Sequence, residues 1–130
     1  MGRVVYEPAP DVCRVVDALL DAGLFPHVRR DRVFCVRSRG ARTTAVARIY
    51  GLPRPWVAVG LEPGYVIEVV SERYYRLPCM ERARVILHEL LHIPYSFSGG
   101  LRGHGPVFRR LWRSLSRRVP EEAVRRACLE

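Results

Sequence analysis

The run His88-Glu89-Leu90-Leu91-His92 carries the clearest chemistry in the sequence. Two histidines four apart on a helix stand one above the other, so both imidazoles can reach one ion. Neutral imidazole suits Zn²⁺, which in catalytic sites takes three protein ligands and keeps a fourth position open. Glu89 points about 100° further round the helix. That direction suits it to act as general base on a water beside the ion, not as a ligand. Three polar side chains within one turn of an otherwise apolar segment each need a buried partner. A metal satisfies two of them and an activated water the third.

The third ligand must come from a His, Asp or Glu elsewhere in the chain. A histidine six residues after His92 would complete one zinc pattern, but that position holds Ser98. The later acids, Glu121, Glu122 and Glu130, lie beyond an arginine-rich helix and read as solvated. His104 is therefore the candidate third ligand: it follows the flexible Ser98-Gly99-Gly100 turn and sits at the start of the next helix. His27, in Phe25-Pro26-His27, reads as structural, with no partner nearby. Tyr95 and Arg102 are the nearest candidates to stabilise a tetrahedral oxyanion. Packing under the loop is the competing reading for Tyr95.

Helical spacing of Val12, Val15, Val16, Leu19 and Leu20 predicts an N-terminal helix over Asp11 to Ala22, stopped by Gly23. Short β-rich runs follow at Val33–Val36, Thr43–Tyr50, Trp56–Val59 and Tyr65–Val70, separated by Gly and Pro breakers. They predict a small sheet of three or four strands. The buried helix bearing the two histidines should run from about Met80 to Ile93 and end at Pro94. A third helix begins near Pro106, with Phe108, Leu111, Trp112, Leu115 and Val119 on its apolar stripe. A short terminal helix opens at Pro120-Glu121-Glu122. The fold class is α+β, in one domain over residues 1–130.

Composition narrows the function classes. The 130 residues carry 22 basic and 13 acidic side chains, a net +9, with 48% hydrophobic residues, which excludes a disordered chain. No run approaches the roughly 18–20 apolar residues of a membrane span, and the N-terminus lacks the apolar core of a signal peptide. A soluble cytoplasmic protein is expected. Every basic residue is Arg, and Lys, Asn and Gln are absent, a composition that suits a hot environment. Cys13, Cys35, Cys79 and Cys128 form no C-x-x-C pair, which excludes a zinc ribbon. They read as reduced thiols, with a disulfide open only to a hyperthermophile. Arg109, Arg110, Arg113 and Arg117 on the third helix read either as a solvated face or as a DNA contact.

The stretch His88-Glu89-x-x-His92, eleven residues, His104-Gly105-x-x-Phe108 resembles the core of SprT/Spartan-like zinc metallopeptidases. The runs Phe34 to Gly40, Ala47 to Gly51, Tyr65 to Glu72 and His88 to Leu101 are similar to a group of archaeal predicted metallopeptidases. The resemblance implies a minimal zincin-like domain with zinc on His88, His92 and His104 and a catalytic Glu89. The chain lacks the C-terminal zinc ribbon of the bacterial and Spartan members. A zinc endopeptidase acting on protein or peptide substrates, DNA-bound ones included, is the expectation. A sheet edge would hold the substrate as an added strand, with Trp56–Val59 and Tyr65–Val70 as the candidate edges and an internal strand as the competing reading for each. The alternatives are a basic nucleic-acid-binding module with structural zinc and a metal-binding protein without turnover.

Overall fold

The computed structural model describes residues 2–129. In chain order the elements are β1 (Val5–Pro8), α1 (Pro10–Asp21), a 3-10 turn (Arg30–Arg32), β2 (Val33–Arg39) and β3 (Ala47–Gly51). There follow α2 (Arg54–Ala58), β4 (Tyr65–Val70), α3 (Ser71–Tyr74), α4 (Cys79–Leu90), α5 (Pro106–Leu115) and α6 (Glu121–Leu129). The four strands make one mixed sheet in the order β1-β2-β4-β3, with β2 parallel to β4 and the other pairs antiparallel. This is the expected α+β class.

Strand alternation decides which side is covered. In the paired register Val33, Cys35, Tyr65, Ile67 and Val69 share one buried face. Against it pack α1, through Val12, Val15, Val16 and Leu19, and α4, through Ala83, Ile86, Leu87 and Leu90. Helix α6 braces both of these helices. Pro10 opens α1, where its missing N–H costs nothing, and Gly23 at φ 76° follows its end. Among the described residues no helix is long and apolar enough to cross a membrane.

The sheet differs from the expected runs, and of the two readings of Tyr65–Val70 the internal one holds. Trp56–Val59 is not a strand: Arg54–Ala58 forms a short helix, with Pro55 in its first turn and the Trp56 N–H donating to the Pro53 carbonyl. The run has no strand to pair with, so β propensity decides nothing there, and Trp56 and Val59 remain exposed. Tyr65–Val70 is a strand, but an internal one, hydrogen-bonded to β2 and β3 on its two sides. The free edges are β1, at Val5–Pro8 where no strand is expected, and β3, which at five residues is shorter than the expected Thr43–Tyr50.

The cysteines differ as well. Cys79 and Cys128 form a disulfide across a separation of 49 residues, tying the start of α4 to the end of α6, while Cys13 and Cys35 are free. Two helix ends far apart in sequence are neighbours only in the folded chain, so spacing carried no sign of the pair. Closing a loop of this length contributes about 4 kcal/mol on the chain-entropy account. A reductant that opens the bridge should lower the urea midpoint accordingly. Identical unfolding curves with and without reductant would remove that contribution, and alkylation mass spectrometry reports whether the bridge is present.

Candidate metal centre

The turn of α4 that carries the motif is buried because Ile86, Leu87, Leu90 and Leu91 all face the core. Regular α-helix ends at Leu90, three residues before the expected Ile93. Pro94 disfavours helix at Ile93 and cannot donate. The last turn tightens: the His92 N–H donates to the Glu89 carbonyl at 3.1 Å and the Ile93 N–H to Leu90 at 3.1 Å. His92 thus sits in this closing turn. Its ring still lies 5.2 Å from that of His88, centroid to centroid.

His104 reaches this pair through a chain of tertiary pins. The Tyr65 hydroxyl donates to the Gly100 carbonyl at 2.8 Å and accepts the Gly99 N–H at 2.9 Å. A Cβ on Gly51 would stand 1.8 Å from the Gly99 carbonyl oxygen, so β3 and the loop meet backbone to backbone. The glycine-rich connection is therefore anchored, where the sequence suggested a flexible turn. Three residues on, the Arg102 N–H donates to the His92 carbonyl at 2.6 Å, and His92 Nδ1 donates to the Arg102 carbonyl at 2.6 Å. This reciprocal pair sets the chain two residues before His104.

The result is a triangle of imidazoles. His104 lies 5.1 Å from His88 and 4.6 Å from His92 between ring centroids. Phe108 forms the floor, 5.0, 4.8 and 4.8 Å from His88, His92 and His104. Candidate ligand atoms of the three histidines all lie within 4.8 Å of one another, and no other such group of three occurs among the described residues. Nitrogens around a tetrahedral zinc stand about 3.4 Å apart for bonds of about 2.0–2.1 Å.

Hydrogen bonding prepares the donors. A carbonyl only accepts, so His92 carries its proton on Nδ1 and presents a lone pair on Nε2. His88 Nδ1 lies 3.0 Å from the Glu89 carboxylate, which sets the same tautomer there. His104 is exposed, but desolvation of its ring, and then the neighbouring His92 and His88 rings, lower its pKa and favour the neutral form that binds metal. The residues present fit a divalent ion with imidazole ligands. Glu89 is buried, with only 7% of its surface exposed.

Two cavities flank His88. One of about 370 Å³ is lined by His88, Phe108, Arg109, Trp112 and Arg113. The other, about 330 Å³, is lined by Ala45–Ala47, Arg84, Val85, His88, Glu89 and Trp112. Phe108 and Trp112 were legible as an apolar stripe. Arg84 and the β3 segment carried no functional signal in sequence. Arg109 and Arg113 face this cleft, whereas Arg110 and Arg117 are exposed and line neither cavity.

Tyr95 and Arg102 line neither cavity. The Arg102 guanidinium sits 4.8 Å over the Tyr95 ring and donates to the Leu91 carbonyl at 3.1 Å. Its backbone N–H and carbonyl both bond His92. His27 does have partners, contrary to expectation: Nε2 donates to the Ile93 carbonyl at 3.1 Å and the ring packs on Tyr95 at 4.9 Å. Burial lowers its pKa, so it is held neutral under the end of α4.

A family model described as "Putative phage metallopeptidase" matches residues 4–128. No curated protein and no solved structure matches the chain.

Proposed function

Since the chain belongs to that metallopeptidase family, we propose that it is a zinc-dependent endopeptidase with His88, His92 and His104 as ligands and Glu89 as general base. One observation carries the reading: three imidazoles, from α4, the turn that closes it and the α5 entry, converge beside a buried carboxylate. Three ligands leave a fourth position open, the arrangement of catalytic rather than structural zinc. Zinc held there would supply Lewis acidity and a water with its pKa lowered to roughly 7. The Glu89 carboxylate would take a proton from a water as its oxygen bonds the scissile carbonyl carbon, and would pass that proton to the amine nitrogen as the C–N bond breaks. The Arg102 carbonyl holds the His92 tautomer through the cycle.

The free edge of β3 supports an extended peptide as substrate. Ala45–Ala47 line the cavity that contains Glu89, so a strand added there would pass its backbone in front of the triad. The His-Glu-x-x-His, eleven-residue, His-Gly-x-x-Phe spacing supports placement among SprT/Spartan-like enzymes and their archaeal relatives. The exposed Arg110 and Arg117 leave a basic face for DNA-associated substrates. We place the activity in one domain over residues 1–130, in the cytoplasm of a heat-adapted cell.

Elemental analysis and a casein digestion on one preparation test the proposal. About one zinc per chain and chelator-sensitive hydrolysis with an unchanged circular dichroism spectrum are expected. His104→Ala should drop zinc well below stoichiometry. Full occupancy in His104→Ala removes it from the ligand set, and unfolding on chelation points to structural zinc instead.

A further inference from the structure

The two cavities beside His88 share His88 and Trp112 in their walls, so they adjoin at the one histidine of the triad that lines them. Arg84 lines one cavity from α4, one turn before His88. Arg109 and Arg113 line the other from α5. Glu89 is the sole carboxylate among the lining residues, and it is buried against His88. Arginines elsewhere meet acids, as Arg30 meets Asp17 and Asp21 and Arg37 meets Glu7 and Asp11. Arg84 and Arg113 are exposed and have no such partner among the described residues.

We propose that this pair of cavities forms a groove that selects acidic peptide segments, with Asp or Glu side chains on either side of the scissile bond pairing with Arg84 on one flank and Arg109 and Arg113 on the other. The inference rests on the peptidase reading above. A guanidinium pairs a carboxylate through two parallel hydrogen bonds, and desolvation beside Trp112 and Phe108 strengthens them. A lysine at the same place would meet three like charges, so discrimination comes from repulsion as much as from attraction. Volumes of about 370 and 330 Å³ suit one or two side chains, which favours a peptide over a nucleic-acid duplex.

A mixed peptide library digested by the zinc-loaded full chain, with cut sites mapped by mass spectrometry, tests this. Asp and Glu should be enriched within two residues of the cut bond, with kcat/KM about tenfold higher for a Glu-flanked peptide than for its Lys-flanked twin. The preference should shrink with added salt. R84E/R113E should shift the map towards Lys and Arg. A map without charge preference overturns the inference while leaving the peptidase reading intact. So does loss of all acidic enrichment combined with competition by a single-stranded oligonucleotide, which would assign the arginines to nucleic acid. A binding arm separates the two readings, using zinc-loaded Glu89→Gln and fluorescent Glu-rich and Lys-rich peptides. Tighter Glu-rich binding without any cleavage by the wild type supports the groove and overturns the peptidase. Equal binding overturns the groove.

Discussion

Glu89→Gln is expected to lower peptide hydrolysis by about 100- to 10,000-fold while zinc stays bound, the range that a positioned general base contributes. The substitution is suited to the question because Gln keeps the length and one accepting oxygen. That oxygen can still take the His88 Nδ1–H, now 3.0 Å from the carboxylate. The imidazole triangle and its Phe108 floor should therefore survive, and only the proton acceptor is lost. Burial sharpens the effect: at 7% exposure Glu89 has little bulk water to replace it as base. Elemental analysis and digestion rate must be read on the same preparation, so that a missing metal is not mistaken for a missing base. Undiminished turnover by metal-loaded Glu89→Gln would remove Glu89 from the chemistry.

What the sequence revealed follows a physical divide between local and distant causes. His88 and Glu89 end α4 and His92 sits in the turn that closes it, so spacing alone placed them together. His104 emerged by elimination, but the reason it arrives lies elsewhere: in Tyr65 on β4, the backbone contact of Gly51 with Gly99, and the His92–Arg102 exchange. None of these has a signature in spacing. Helix α2 was misread because Trp56, Val57 and Val59 have strand-like side chains, while the Pro53-Arg54-Pro55 start decided the backbone. The arginine helix looked like one face. The seat of α5 on the triad divides it, turning Arg109 and Arg113 to the cleft and leaving Arg110 and Arg117 outside it.

Glu68 shows the same divide from the side of stability, and its removal should produce the largest loss of folding free energy from any single hydrogen-bonded side chain outside the site. It read as one polar residue in the apolar strand Tyr65–Val70, yet it is fully buried. Its carboxylate accepts from Ser38 Oγ at 2.5 Å, from Tyr50 Oη at 2.6 Å and from Arg48 at 3.1 and 3.2 Å. Burial alone would raise its pKa; the bonds from Arg48, Ser38 and Tyr50 outweigh it and hold the group below the usual carboxylate range. These partners come from β2 and β3, so the cluster ties both neighbours to β4.

Glu68→Ala should cost about 3 kcal/mol, the low end for breaking a buried pair, because Arg48 is 35% exposed and can recover water. A urea titration with unchanged m-value checks it, and a loss below about 1 kcal/mol would refute the pinning role. The pH dependence supplies a second arm. A carboxylate whose folded pKa is depressed contributes stability that is complete above the unfolded pKa, about 4.3. That contribution falls away as pH drops through the folded value, so the wild type should lose it in acid while Glu68→Gln shows no such loss. Because Ala47 at the start of β3 and the two residues before it border the cleft, activity in the variant should fall with the folded fraction and not in kcat per folded molecule. A lowered kcat in fully folded Glu68→Ala would mean that the strand register, and with it the substrate edge, depends on this one buried charge.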